Sequence, residues 1–96
     1  MNFSVIASFS IEPGSTAAFE AALKVLTDAT RREPGCLQYD IHNNTEVEGG
    51  YFIVEKYETE QDYLFHREQQ HIQDFRQIVT PLFKEPPIVL RGRLAW

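Results

Sequence analysis

The sequence contains little cysteine, no excess of positive charge and no long apolar run. Its single cysteine, Cys36, cannot form a disulfide within the chain. Nine lysine and arginine residues stand against fourteen aspartate and glutamate residues, which gives a formal net charge of −5. Because the basic residues are scattered and no apolar stretch approaches the roughly 20 residues of a membrane-spanning helix, we expect neither nucleic acid nor a membrane as a partner. The chain also starts without the pattern of a secretion signal, so we expect a cytoplasmic protein.

The overall composition of the chain is that of one small globular domain covering residues 1–96. Hydrophobic residues make up 43% of the chain and charged residues 24%, which is ordinary for a folded protein. A domain of this length buries only about 60 to 65% of the surface of its unfolded chain. A partner subunit would therefore add to its stability.

The hydrophobic pattern alternates between the period of strands and the period of helices. Strands are predicted at 2–11, 36–42, 51–58 and 86–94, and helices at about 15–32, from 59 onward, and at about 68–82. The resulting order, β-α-β-β-α-β, is that of the ferredoxin-like split βαβ fold of the α+β class. Such a fold has helices on one face of its sheet only. We therefore expect a homodimer in which a second copy covers the other face.

Turn and cap signals mark the boundaries of these elements. Ser15 can cap the first helix, and Thr59 followed by Asp62 has the form of a capping box for the second. Pro34 disfavours a helical conformation at the residue before it, and Gly35 can adopt a positive φ. The first helix is therefore expected to end in the turn that contains them.

The sequence shows no pattern typical of a metal or nucleotide site. His66 and His71 are five residues apart, which on one continuous helix puts them about 140° apart and not on one face. Gly49 and Gly50 fall in a predicted hairpin loop and do not form a phosphate-binding loop. We therefore expect no metal and no cofactor.

Several other residues admit both a chemical and a structural role. Cys36 is expected to act as a small hydrophobic residue. Glu55 shares a strand face with apolar residues, so it is either solvated or buried with a partner, and only a buried carboxyl group would acquire a shifted pKa. His66 is either an interfacial or a catalytic histidine. The four tyrosines either line a pocket for an aromatic ligand or lie half-buried in the core, namely Tyr39, Tyr51, Tyr57 and Tyr63.

Three stretches together resemble the antibiotic biosynthesis monooxygenase family. They are EPGCLQY at 33–39, YFIVEKY at 51–57 and HREQQHIQDF at 66–75. The resemblance covers nearly the whole chain and implies a small dimeric α+β barrel protein of a family that includes quinol monooxygenases. Haem-degrading members resemble the chain least, because Arg76 stands where they carry the haem-ligating histidine.

The resemblance implies an oxygenase that needs neither metal nor flavin, because its substrate supplies the electrons. A deprotonated phenol or hydroquinone gives one electron to oxygen and recombines with it at carbon. The protein must then take a proton, hold the anion and exclude water. The resemblance implies His66 and Glu55 as the catalytic residues, and it implies aromatic contacts to a flat substrate from Tyr39, Tyr57, Phe65 and Phe75.

Two other functions stay open because this fold hosts several activities. One is an isomerase of a small phosphorylated metabolite that uses the same acid and base groups without consuming oxygen. The other is a non-catalytic dimer that binds a small molecule without turnover. For the oxygenase, the resemblance implies a pocket between the sheet and the helices of each subunit.

Overall fold

A computed structural model describes residues 2–96 of the chain. Its elements are, in order, β1 (Phe3–Ile11), α1 (Thr16–Thr30), β2 (Cys36–Asn43), β3 (Gly50–Tyr57), α2 (Glu60–Glu68), α3 (Gln70–Val79) and β4 (Phe83–Arg93). One turn of 3₁₀-helix, Thr80–Leu82, joins α3 to β4. The four strands form one antiparallel sheet in the order β2-β3-β1-β4. This arrangement confirms the predicted α+β, ferredoxin-like fold.

The core lies between the helices and one face of the sheet. Alternate residues of β1 and β3 point into it, and their side chains are almost fully buried, as for Val5, Ile53 and Tyr57. Helix α1 contributes Phe19 and Leu26 to this core, and both belong to its apolar stripe. No helix within residues 2–96 is both long and apolar enough to cross a membrane.

The other face of the sheet carries apolar side chains and no helix. Ile6, Ile88 and Leu90 are 42%, 64% and 62% exposed, and Ile6 lies between Leu90 of β4 and Val54 of β3 in the strand pairing. Exposed apolar residues that are neighbours on a sheet are unusual on a monomeric protein surface. The structure therefore has the uncovered sheet face that the order of the elements predicts.

The helical region after β3 differs from its prediction. Gln69 has an extended backbone (ψ 148°) that ends α2 and starts α3, so the two helices meet at a sharp break. The predicted single helix at 68–82 is in fact α3 followed by the 3₁₀ turn that contains Pro81. β4 starts at Phe83 and runs through two prolines, which it tolerates because it is an edge strand.

Two local predictions around the first helix are wrong. The Ser15 hydroxyl makes no cap hydrogen bond, whereas the Thr59 and Asp62 capping box is present. The described glycines with positive φ are Gly14 and Gly49, and Gly35 is not among them. A Cβ at Gly35 would instead overlap the side chain of Asp62, so this glycine permits close approach of the turn to α2.

Candidate active site

A cavity of about 280 Å³ lies between the sheet and helices α2 and α3. Its floor is apolar and comes from strands β1, β3 and β4, with side chains that include Val5, Ala7, Ile53 and Val89. The polar and charged side chains that line it are Tyr39, Glu55, Tyr63, His66, Arg67, Arg76 and Thr80. A concave apolar site with a few converging polar groups is the usual form of a small-molecule site.

The cavity has a buried inner end and an exposed mouth. Tyr39, Glu55 and His66 are 3%, 5% and 2% exposed, so they mark the inner end. The lining residues Arg67 and Arg76 are exposed and mark the mouth. A molecule that enters would thus place one end against buried titratable groups.

His66 is held at the inner end by a carboxylate from a distant part of the chain. Glu33, in the turn after α1, is 7% exposed, and its Oε2 lies 2.9 Å from His66 Nδ1. The same Oε2 lies 2.6 Å from Nε2 of His71, whose side chain is 22% exposed. Glu33 therefore bridges a histidine of the cavity and a histidine nearer the surface.

The bridge determines which nitrogen of His66 a ligand can meet. An ionised carboxylate only accepts hydrogen bonds, so His66 Nδ1 and His71 Nε2 donate to Glu33. A neutral His66 with its hydrogen on Nδ1 has a free electron pair on Nε2. This nitrogen can take a proton, and the negative charge of Glu33 stabilises the imidazolium that results, as the aspartate does in a catalytic triad.

Glu55 is buried with a partner, which settles the question that the sequence left open. Its Oε1 accepts a hydrogen bond of 2.7 Å from the Tyr57 hydroxyl. Burial raises the pKa of Glu55 above its ordinary 4.5, and the Tyr57 hydrogen bond and the charge of His66 partly oppose that rise. Burial likewise raises the pKa of Tyr39 and of Tyr57, so both hydroxyls stay protonated.

The helix break overturns the spacing argument made against a metal site. His66 and His71 lie on two helices that converge on Glu33, and the donor atoms of these three side chains all lie within 4.8 Å of one another. Within residues 2–96, these three side chains form the group that could hold a metal ion. In the structure one nitrogen of each imidazole is hydrogen-bonded to the Glu33 carboxylate, and the second nitrogen of each ring stays available.

The structure brings together four of the six predicted site residues. Glu55, His66, Tyr39 and Phe75 all line the cavity. Tyr57 lies outside the lining and donates a hydrogen bond to Glu55.

Phe65 does not contact the cavity, contrary to its predicted role as a substrate contact. Its side chain is 49% exposed and lies outside the lining. The physical reason is its place on α2, where it is turned by about 100° from His66 onto the outer side of the helix.

One residue of the site, Glu33, could not be predicted because no local pattern marks it. In the sequence Glu33 is only the first residue of the motif at 33–39, and its burial next to Pro34 is a tertiary property. Tyr63, one of the four tyrosines for which the sequence left a pocket or a core role open, lines the cavity and accepts a hydrogen bond of 2.9 Å from Arg91. Burial raises the pKa of the Cys36 thiol to about 11, which disfavours the thiolate that a nucleophilic cysteine needs.

Comparisons with known proteins agree with this architecture. A protein from Mycobacterium tuberculosis is 28% identical, with a TM-score of 0.92 over 98% of this chain and 95% of its own. A protein from Pseudomonas aeruginosa is 26% identical, with a TM-score of 0.87 over the same two shares. A solved structure named antibiotic biosynthesis monooxygenase is 20% identical and shares the fold, with a TM-score of 0.91 over 97% of this chain and 98% of its own.

A search of curated proteins found no match to this chain. The model of one family does match, over residues 2–78, which include β1 to α2 and nearly all of α3. That range contains Glu33, Glu55, His66 and His71, so the match covers the buried inner end of the cavity as well as the fold. The chain belongs to the antibiotic biosynthesis monooxygenase family.

Proposed function

We propose that this protein is a cofactor-independent monooxygenase that oxidises a small, electron-rich aromatic compound of the phenol or quinol type with molecular oxygen. Its family supports a monooxygenase-type function. The observation that carries the proposal is the buried His66, held by Glu33 through Nδ1 and lining one apolar cavity together with Glu55. This arrangement suits the removal of a proton from a substrate kept away from water.

The proposed reaction needs a base more than it needs a redox group. His66 Nε2 accepts the phenolic proton, and the electron-rich anion passes one electron to oxygen. The two radicals combine at a ring carbon that bears hydrogen, and the resulting peroxide takes up a proton. Loss of water then leaves a carbonyl group, so one oxygen atom enters the product and the other leaves as water.

The other buried groups support these steps. Glu55, with its raised pKa, donates or accepts a hydrogen bond at the substrate oxygen, and Tyr57 fixes its orientation. Glu33 acts through His66 and does not line the cavity, so it is a positioning residue. His71 holds Glu33 from the surface side through its bond to Oε2.

The test is oxygen uptake by metal-stripped protein with a series of hydroquinones and anthrones. We expect uptake to persist after treatment with a chelator and dialysis. His66→Ala should lower turnover by about 100-fold, the usual contribution of a general base. Adding Glu55→Gln to it should make it little worse, because residues that act as one unit are not additive. The control is Phe65→Ala, whose exposed ring lies next to His66 in sequence but outside the cavity.

Each other outcome excludes the proposal in a different way. Uptake restored only by added iron or flavin would exclude the cofactor-free reaction. Turnover of a phosphorylated metabolite without uptake of oxygen would indicate an isomerase, and binding without turnover would indicate a binding protein. Wild-type rates in a folded His66→Ala variant would remove His66 from the mechanism.

A further inference from the structure

Two arginines at the mouth of the cavity are available to a ligand. Arg67 of α2 and Arg76 of α3 both line the cavity and are exposed. Within residues 2–96, neither side chain forms an ion pair or a hydrogen bond to an acidic group. By contrast, Arg93 pairs with Glu60 at 3.0 Å, and Arg91 donates to the Tyr63 hydroxyl at 2.9 Å.

Arg67 is nevertheless kept near the cavity. Its guanidinium carbon lies 5.9 Å from the centre of the Tyr63 ring, and this ring is itself part of the lining. A cation over the face of an aromatic ring is held by the ring's negative face without losing its hydrogen-bond donors. These donors remain free to bind a planar anion in the bidentate manner typical of arginine.

The charge at the mouth is opposite to that of the whole chain. The chain has a formal net charge of −5, yet the charged side chains lining the exposed part of the cavity are both arginines. The acidic lining residue is Glu55, which is buried at the inner end, where burial opposes its ionisation. An anion at the mouth therefore meets two positive charges and no exposed negative charge of the lining.

We propose that the cavity selects an aromatic substrate that carries an anionic group, with the reacting hydroxyl at Glu55 and His66 and the anionic group at Arg67 and Arg76. The inference rests on the proposed function for the hydroxyl end. The anionic end is independent of it, because binding alone reports on it. Because the inner end of the cavity would bind a hydroxyl group and its mouth an anionic group, the direction in which a flat ring enters the cavity is also fixed.

The test compares two fluorescent ring compounds that differ by one charge, 2-naphthol and 6-hydroxy-2-naphthoate. Binding is measured without oxygen at neutral pH, so that turnover plays no part. We expect 6-hydroxy-2-naphthoate to bind the wild-type protein at least about tenfold more tightly, and added salt to weaken its binding only. The double variant Arg67→Gln/Arg76→Gln should lose this preference and bind 2-naphthol as the wild type does.

The control is Arg32→Gln, which removes an exposed arginine outside the cavity lining and should leave both affinities unchanged. The two target arginines are exposed, so the variants should keep the wild-type melting temperature. Equal affinities of the wild type for the two compounds, no binding of either, or a preference that survives the double substitution would overturn the proposal. Failure of oxygen uptake with the preference intact would overturn only the proposed reaction.

Discussion

Glu55 is a carboxyl group whose environment changes when the chain folds. Burial raises the pKa of its carboxyl group above 4.5, so the folded chain binds this proton more tightly than the unfolded chain does. The stability that depends on the proton is fully present below the ordinary pKa. It is lost as the pH rises through the raised pKa of the folded protein, and above that pKa Glu55 lowers the free energy of unfolding.

Glu55→Gln should remove this dependence. The amide oxygen can still accept the Tyr57 hydrogen bond, and the other groups that face Glu55, namely His66, Glu33 and Arg91, are unchanged. We expect the variant and the wild type to have similar free energies of unfolding at acidic pH. At alkaline pH the variant should have the higher free energy of unfolding. Urea unfolding across the pH range measures it, with the exposed Glu68→Gln as control. A difference that does not vary with pH would contradict the burial argument.

Gly35 is required by close packing and not by its backbone conformation. Because an added Cβ would overlap Asp62, Gly35→Ala should lower the free energy of unfolding by about 1–3 kcal/mol, the usual range for overpacking. Gly92→Ala is the matched control, since its added Cβ meets no atom within 4 Å. Urea denaturation of both variants decides the point. Equal stabilities would show that the turn moves away from α2 without loss.

At the scale of elements, α2 is the helix that carries His66, and a reciprocal capping box closes its first turn. The Thr59 hydroxyl accepts from the Asp62 amide at 3.2 Å, and the Asp62 carboxylate accepts from the Thr59 amide at 3.2 Å. The break at Gln69 then directs α3 back toward Glu33. The cap and the break together determine where the two histidines meet.

Thr59→Ala should therefore lower the free energy of unfolding by about 1 kcal/mol, as the loss of an N-cap usually does. Ser15→Ala, at the cap position of α1, should have much less effect because the Ser15 hydroxyl makes no cap hydrogen bond. Thermal unfolding of the two variants side by side measures the difference. If Ser15→Ala were the more harmful, the capping geometry of both helices would be in error.

At the scale of the whole molecule, we propose that two copies pack with their open sheet faces together. One sheet face is covered by helices, whereas the other exposes Ile6, Ile88 and Leu90 side by side. A second copy buries this apolar surface, and a chain of this length has few other means of doing so.

Light scattering at micromolar concentration should give twice the mass of the chain. Leu90→Glu should give a monomer, because two carboxylates would be buried in the interface. Val25→Glu is the control, since Val25 is 69% exposed on α1, away from the open face, and should leave the mass unchanged. A stable wild-type monomer would exclude the dimer.

Local periodicity by itself determined the strands, the first helix and the α+β class of this protein, but not the break between α2 and α3. The alternation in β1 and β3, the stripe on α1 and the Thr59 cap all involve neighbours within a few residues. Such features follow from backbone geometry, whatever the rest of the chain does. The uncovered sheet face also follows, because it depends only on the order of the elements.

Tertiary structure alone decided how the site is assembled. Glu33 lies 33 positions before His66 and 38 before His71, so no helical or strand period connects them. Their meeting depends on the backbone of Gln69, and the burial of Glu55 depends on the helices that cover β3. Contacts of this kind arise from the packing of whole elements, and a sequence read through local periods contains no signal for them.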